Sequence, residues 1–398
     1  MPFPHIQGAF SEQIIIEGYQ AHPIADHLSL SEAALAEPLS VGLHAIQRAG
    51  SVLGKQVLVT GYCDNNEADY LEEVATDVKA TRIAGLGRSI SLVTDLRAFI
   101  GLVAMIRKLQ PDVIHTHTAK AGVLGRLASI MAGRDAVRIH TFHGHLLHGY
   151  FSGWKTQLVI AIEKALAART HHLIAIGTVV KNDLLAAGIG KPEQYSVFFP
   201  GLPEPKRFER AELRKELELD AATIYCTFVG RLTQIKRPDR LLDVAAEIAR
   251  QNVAVHFLVA GEGELFESSR ARAAAKKLPI TFLGWRKDID QLFAASDIAI
   301  LTSDNEGIPL TLIQGAQAAL PILAPAVGSI SDIVEDGKTG FLTAPTASAM
   351  AARLGELAAD SELRNRLGAA GKERAHTYFS LARMLRDHTG IYNAPHKK

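Results

Sequence analysis

A chain of 398 residues, 47% of them hydrophobic, carries 43 Lys and Arg against 42 Asp and Glu, for a formal charge of +1. That length favours two domains, because single cores stop growing near roughly 250–300 residues. The apolar content excludes wholesale disorder, and the balanced charge excludes a nucleic-acid binder that works through a basic stripe. No apolar run reaches the roughly 18–20 residues that span a bilayer, and no basic-then-apolar leader opens the chain. Cys63 and Cys226 lie far apart with neither disulfide-framework nor metal spacing. A soluble, cytoplasmic protein of two domains is expected.

In chain order, residues 1–90 are the least regular. A strand is expected at 14–17, a helix at 40–49 and a buried strand at 56–60; the turn that follows, 61–66, is not a glycine-rich phosphate loop. From residue 92 the punctuation becomes regular. Apolar positions at Leu96, Phe99, Leu102, Val103, Ile106 and Leu109 predict a helix over 92–109, stopped by Pro111. A strand at 112–117, a helix at 120–132, a strand at 137–142 and a helix at 154–168 follow. Then come a strand at 173–176, a helix at 179–187 and a strand at 195–199. Strands alternating with helices predict parallel βαβ units. The Pro/Gly cluster at 200–205 reads as a linker.

The pattern then restarts. Strands are expected at 224–229, 253–260, 280–283, 297–301, 321–324 and 340–343. Helices are expected at 238–251, 264–277, 288–295 and from Pro309, and several more close the chain from 346 to about 392. Two doubly wound α/β layers result, with ligands at strand C-terminal ends and a cleft expected between the layers.

The chemistry concentrates in a few stretches. Across 303–314, a carboxylate, Glu306, leaves a strand and is followed by Gly307, Ile308 and a helix opened by Pro309 and Leu310. Free N–H groups at that helix start suit an anion, and Glu306 suits sugar hydroxyls; the plainer alternative is an ordinary turn and cap. Gly230, Arg231 and Lys236 follow another strand, where a guanidinium fork and an ammonium point charge can grip a diphosphate. Gly261-Glu262-Gly263 is a tight turn through which backbone can approach a ligand. Histidines gather between His115 and His172. His115 and His117 alternate on one strand, and His143 and His145 flank Gly144 after the next. With no acidic or cysteine partner at ligand spacing, they read as crevice-lining groups rather than a zinc site. Asp288-Ile289-Asp290 has the form of a metal-binding Asp-x-Asp but reads more simply as a helix cap.

These residues resemble a known family. Over roughly 56–390 the chain is similar to a family 4 retaining glycosyltransferase of the GT-B fold, the bacterial polysaccharide type. The resemblance is carried by PDVIHTHTAKAGVLGRLA (111–128), HTFHGHLLHGYFS (140–152), VGRLTQIKRPDRLL (229–242), VAGEGE (259–264) and FLGWRKDI (282–289). The long segment SDNEGIPLTLIQGAQAALPILAPAVGSISDIVEDGKTGFL (303–342) completes it. It implies transfer of a hexose from a UDP- or GDP-linked donor to a hydroxyl, with retention and no metal or other cofactor. Arg231 and Lys236 match the pair that binds the donor diphosphate, with Gly230 beside them. Glu306 matches a glutamate that contacts the donor sugar, and the amides of Gly307, Ile308, Pro309 and Leu310 match sugar and phosphate contacts. His143 matches a histidine near the transferred sugar, His117 is a further crevice residue, and the base falls near Trp285 and Arg286. Lipid-linked saccharide acceptors follow from the same resemblance, with peripheral contact at the inner face of the cell membrane and no nucleic acid as partner. The implied layout is an acceptor-side domain at 61–200, a linker at 201–222, a nucleotide-sugar-binding domain at 223–375 and a C-terminal helix at 376–398 packing back toward the first domain.

Two departures stand out. The family's second glutamate, which holds the donor ribose, is Gln314 here. An amide still accepts a hydrogen bond but lacks the charge that strengthens it, so weaker donor binding is expected, relieved by Gln314→Glu. Residues 8–60 instead resemble a fragment of a zinc-dependent polyol dehydrogenase of the idonate/sorbitol type, with Glu37 matching a glutamate near that family's zinc. The Cys and His ligands and the glycine fingerprint of such an enzyme are absent, so a dehydrogenase is disfavoured. A junction near 57–61 would displace the transferase's opening strand, glycine-rich loop and first helix. A fusion product that retains only nucleotide-sugar binding is therefore the second reading, with residues 1–60 completing the first layer as a surrogate.

Overall fold

The structure is a computed structural model and describes residues 42–49, 52–62, 80–87, 91–133, 135–144, 153–206, 208–220 and 222–393. The expected strand at 14–17, Glu37, Cys63 and His145 lie outside these residues. The chain divides into two compact units, residues 1–199 with 384–398, and 200–383.

The first unit is a seven-stranded sheet. Its strands are β1 (Gly42–Ala49), β2 (Val52–Thr60), β3 (Ala80–Arg82), β4 (Val113–His117), β5 (Val137–Phe142), β6 (His172–Ala175) and β7 (Tyr195–Val197), in the order β3-β2-β1-β4-β5-β6-β7. Helices α1 (Leu92–Leu109), α2 (Ala119–Met131), α3 (Trp154–Ala167) and α4 (Thr178–Ala186) make the connections. The helix α1 ends where Gln110 turns left-handed (φ 49°), one residue before Pro111, which disfavours helical backbone at its predecessor.

Pleating sorts the β4 side chains. Ile114 packs with Ala98, Leu102 and Ile106 of α1, whereas its neighbour Val113 packs on the opposite face with Ile139 and Ile174. Leu102 and Ile106 are almost wholly buried, each worth about 1.5–3 kcal/mol.

One expectation fails here. Residues 42–49 form strand β1, not a helix, and β1 runs antiparallel to both neighbours. It pairs with β2 from Gly42 opposite Thr60 to Ala49 opposite Val52, and with β4 from Leu43 opposite Thr116 to Ile46 opposite Val113. A two-sided ladder satisfies its backbone groups and outweighs local helix propensity. Every other pairing in this sheet is parallel.

The second unit is a six-stranded, wholly parallel sheet. Its strands are β8 (Ile224–Val229), β9 (Val255–Ala260), β10 (Ile280–Gly284), β11 (Ile298–Ile300), β12 (Ile322–Pro325) and β13 (Gly340–Thr343), in the order β10-β9-β8-β11-β12-β13. Helix α5 (Arg210–Glu216) lies within the stretch read as linker, and Arg214 ties it down by donating to the Ala295 carbonyl at 2.9 Å and to Asp297 at 2.6 Å. The remaining helices of this unit are α6 (Pro238–Arg250), α7 (Phe266–Ala275), α8 (Ile289–Ala295), α9 (Leu310–Gln317), α10 (Ile330–Ile333), α11 (Ala347–Ala359) and α12 (Ser361–Tyr378). The final helix, α13 (Leu381–Asn393), brings Ile391 and Tyr392 onto the Val113 face of the first sheet.

Arg126 of α2 and Glu163 of α3 form a buried ion pair, with guanidinium nitrogen to carboxylate oxygen distances of 2.7 and 2.9 Å. Removing one member leaves the other charged and buried, which typically costs 3–5 kcal/mol. Glu163→Ala is therefore expected to lower unfolding free energy by about 3–5 kcal/mol in urea titrations, and a loss below about 1 kcal/mol would contradict this.

Candidate active site

In the second sheet the strand order reverses between β8 and β11, and the loops leaving these strands meet. Carboxyl ends at such a reversal are where doubly wound folds bind ligands. The β8 loop turns once through Gln234–Lys236 before α6 begins at Pro238. Asp304 N–H donates to the Ile235 carbonyl at 2.9 Å, and Thr302 Oγ1 donates to the Lys236 carbonyl at 2.9 Å. This zips the β8 loop to the β11 loop.

On that seam Lys236 Nζ lies 2.5 Å from Glu306 Oε1, and Ser303 Oγ donates to the same oxygen at 2.5 Å. Both charged side chains are largely buried, at 23% and 10% exposure, so water screens their attraction poorly. Arg231 stands five residues earlier in the same loop, exposed, and its guanidinium bonds to no described residue. Arg231, Lys236 and Glu306 thus belong to one rim, formed by two adjoining strand exits.

Glycines set how closely these loops can pack. A Cβ on Gly261 (φ +130°) would sit 2.1 Å from the Gly230 carbonyl oxygen, and one on Gly328 (φ +53°) would sit 1.9 Å from the Glu306 carbonyl oxygen. Gly230 N–H donates to the Ala260 carbonyl at 3.0 Å, and Ser329 N–H to the Glu306 carbonyl at 3.1 Å. The turn at 261–263 thus lets the neighbouring loop approach its backbone.

Sequence reasoning missed the groups that brace this rim. Arg240 of α6 donates to the carbonyls of Thr302 (2.6 Å) and Ser303 (3.3 Å) and to Asp304 (2.5 Å), while Arg237 forks onto Asp304 and Asp239. Burial alone would raise the Asp304 carboxyl, but hydrogen bonds from Arg240 and Arg237 outweigh it and hold the group below the usual carboxylate range. The available signal was an arginine beside the buried Leu241, Leu242 and Val244 of an amphipathic helix.

The chain from Glu306 enters α9 through Gly307, the buried Ile308 and Pro309. The helix begins one residue later than expected, with Pro309 as its N-cap rather than its first residue; Pro309 has no N–H, so the backbone donors along this entry are those of Gly307, Ile308 and Leu310. Gln314, one turn into α9, donates to Asp290 Oδ1 at 3.1 Å. Asp288 occupies the N-cap position of α8 but makes no side-chain cap: its carboxylate pairs with Arg286 at 2.9 Å, because the guanidinium two residues back is the stronger donor. Trp285 is more than half exposed at the end of β10, with Lys287 over its ring.

The histidines lie in the first unit. His115 and His117 share one face of β4, with ring centroids 4.2 Å apart. His115 bonds Tyr392 of α13 at 2.6 Å and Thr141 of β5 at 2.7 Å, and His117 Nδ1 bonds His143 Nε2 at 2.9 Å. On the other face, His140 bonds Thr116 at 2.8 Å and fills the space over Gly122 of α2, where a Cβ would lie 2.4 Å from the ring. Burial, reinforced by His388, pushes His143 down to about 4, and burial holds His140 well below its ordinary value. A neutral imidazole at His143 or His140 has one donor and one acceptor nitrogen. Among the described residues no group of His, Cys, Asp and Glu is arranged to hold a metal.

A wholly parallel sheet in one unit and a second, mostly parallel α/β sheet in the other make up the Rossmann-like pair of the GT-B fold. Residues 40–201 match the profile of the glycosyl transferase 4-like domain and residues 209–374 that of glycosyl transferases group 1. The chain is 30% identical over 287 residues to the UDP-Gal:alpha-D-GlcNAc-diphosphoundecaprenol alpha-1,3-galactosyltransferase of Escherichia coli, covering 69% of this chain and 72% of that protein. It is 27% identical to the putative glycosyltransferase EpsD of Bacillus subtilis, covering 75% and 81%. Among solved structures, Anabaena HepE in complex with UDP and glucose superposes with a TM-score of 0.70 at 22% identity, covering 81% of this chain and 88% of that one. The chain belongs to the family 4 glycosyltransferases and acts on nucleotide-sugars. Residues 40–60 fall within the transferase match, and the comparisons lend no support to a dehydrogenase origin for residues 8–60.

Two predictions follow from this geometry. The unfolded chain protonates His143 near pH 6.5 and the folded chain only near 4, so this contribution is complete at neutral pH and is lost as pH falls through that window, of order 3 kcal/mol in all. Urea midpoints measured at pH 7.5 and 5 should fall more for the native chain than for His143→Asn; equal drops would contradict the assignment. The second concerns Gln314. A carboxylate there would face Asp290 across 3.1 Å, so Gln314→Glu alone is expected to leave donor affinity unimproved. The gain should pass to Asp290→Asn/Gln314→Glu, read by calorimetric titration with UDP-hexose.

Proposed function

We propose that the protein transfers a hexose, with retention, from a UDP-linked donor to a hydroxyl of a polyprenyl-diphosphate-linked saccharide in cell-surface polysaccharide assembly. The observation that carries this reading is the Lys236–Glu306 pair at the β8/β11 reversal, with the open guanidinium of Arg231 in the same loop. The E. coli relative's name supplies the donor and acceptor class, and the HepE complex, with its UDP and glucose, supports the nucleotide.

In this scheme the donor diphosphate draws Lys236 away from Glu306, and Arg231 closes on it as a fork. Gly230 leaves the diphosphate room, and the N–H groups of Gly307, Ile308 and Leu310 point their partial positive charge at it. Glu306, still held by Ser303, accepts from the sugar hydroxyls, Gln314 and Asp290 accept from the ribose, and Trp285 offers its ring to the base. The bond from the anomeric carbon to the diphosphate oxygen breaks while the acceptor hydroxyl bonds to that carbon on the same face. The hydroxyl proton passes to the departing phosphate oxygen. Charge grows on the leaving diphosphate, so the fixed cations lower the barrier by binding the transition state more tightly than the ground state. By the resemblance of their motifs, His143 is assigned to the transferred sugar and His117 to the lining of the crevice.

A second reading, donor binding without transfer, is favoured by β1. Antiparallel to β4, it brings its Gly42 end, and not a loop leaving a parallel strand, beside the carboxyl end of β4. One experiment separates the two. Transfer of labelled hexose from UDP-hexose to a polyprenyl-diphosphate-linked sugar should be detectable, and Lys236→Ala and Arg231→Ala should each cut it about 100- to 1,000-fold. Unchanged rates would sink the mechanism; donor binding with no transfer by the native chain would favour the second reading.

A further inference from the structure

At the amino ends of the strands in the second sheet, where β8, β11 and β12 begin, lies a polar pocket of about 310 Å³. Its walls include the guanidinium groups of Arg210, Arg214 and Arg364, the carboxylate of Asp297, and the side chains of Thr223 and Asn365. Arg210 and Arg214 stand four residues apart on α5, so they share one face of that helix. Asp297 immediately precedes β11, and Arg364 lies in the first turn of α12. The rim that carries Lys236 and Glu306 is at the carboxyl ends of the same strands, roughly 20 Å away along the six residues of β8.

Charge in this pocket does not balance. One oxygen of Asp297 accepts from Arg210, and the other accepts from Arg214 at 2.6 Å and from the Tyr225 N–H at 2.8 Å. Its single negative charge is thus shared between two cations. Arg364 has no carboxylate partner among the described residues; its Nη1 donates to the Leu357 and Ala358 carbonyls, at 2.6 and 3.0 Å. Asp220 lies outside the lining, where it accepts from the Thr223 hydroxyl at 2.9 Å and the Ala222 N–H at 3.2 Å. Three cations against one anion leave a surplus of two positive charges in the lining. Each arginine has a structural bond of its own, but none of those bonds answers the surplus. A concave wall of one charge sign concentrates counter-ions, and Arg210 is half exposed and so open to them.

We propose that this pocket binds a phosphate dianion, either free phosphate or the monoester of a small sugar, among Arg210, Arg214 and Arg364. Guanidinium forks match phosphate oxygens in geometry, and two negative charges match the surplus. The volume lies at the small end of ligand pockets, which suits a phosphorylated monosaccharide better than a nucleotide-sugar. A bound phosphate bridges α5 and α12 and clamps both to the strand starts. None of these groups belongs to the Lys236–Glu306 rim, so the ligand is independent of sugar transfer.

The test is calorimetric titration of inorganic phosphate and of glucose 6-phosphate into the full chain in phosphate-free buffer. Native chain saturated with UDP, and separately Arg231→Ala/Lys236→Ala, keep the probes off the donor rim; binding should persist in both. Tighter binding of the ester identifies the sugar phosphate as ligand, and equal binding identifies free phosphate. Arg210→Gln and Arg364→Gln should each weaken binding about tenfold or more, the scale of one lost charge-assisted hydrogen bond. Arg210→Gln leaves Asp297 paired with Arg214, so it keeps the fold and carries the test even where Arg364→Gln unfolds. Phosphate loses its second charge near pH 6, so its affinity should fall between about pH 7.5 and 5.5, whereas that of sulfate, dianionic throughout, should not. Three results would overturn the proposal: no heat from either probe at millimolar concentration, binding unchanged by both substitutions, or binding abolished by UDP and by the rim variant alike.

Discussion

Backbone lies directly on backbone where the strands of the second sheet end, and the site depends on that closeness. Gly261 lets its loop rest on Gly230, and Gly328 lets the loop after β12 rest on Glu306, each at a separation no side chain tolerates. Only then do the β8 and β11 exits approach enough for the Ile235 and Lys236 carbonyls to accept from Asp304 and Thr302. The Lys236–Glu306 pair is a consequence of that seam rather than its cause. Its short contact lies in a poorly screened place, where a charge acts more strongly than it would in open water.

A ring of arginines keeps the seam in register. Arg240 reads two successive carbonyls and a carboxylate, so it senses the path of the β11 loop rather than a single atom. Arg237, in left-handed backbone (φ 55°), shares Asp304 with it from the other side. Neither lies in the Lys236–Glu306 pair, and both hold it in place. In the first unit the division of labour is similar. His115, Thr141 and Tyr392 fix the side chains beneath the His117–His143 pair, and His140 fills the hollow that Gly122 leaves on the opposite face.

Much of this was legible beforehand because parallel βαβ units write themselves plainly. Alternating short apolar runs and amphipathic stretches located β4 through β13 to within a residue or two, and the motif around Glu306 announced a carboxylate next to a helix start. Gln314 was recognised as the odd residue, but its partner was not, since Asp290 lies on another helix. Arg240 was passed over because an arginine on an amphipathic helix ordinarily faces water. The helix expected at 40–49 failed for a related reason: local propensity carries no information about the β2 and β4 edges that recruit the segment.

The amino-acid order by itself determined the two α/β layers, the family, and which glycines, cations and carboxylate belong to the strand exits, because these depend on periodicity and on residue chemistry within a few positions. Tertiary structure alone decided the antiparallel course of β1, the bond between Gln314 and Asp290, the close rest of Gly261 on Gly230, and the gathering of three arginines where the strands of the second sheet begin. Those outcomes arise from pairings between distant segments, where satisfied backbone hydrogen bonds, excluded volume and charge act across space, and no local pattern encodes them.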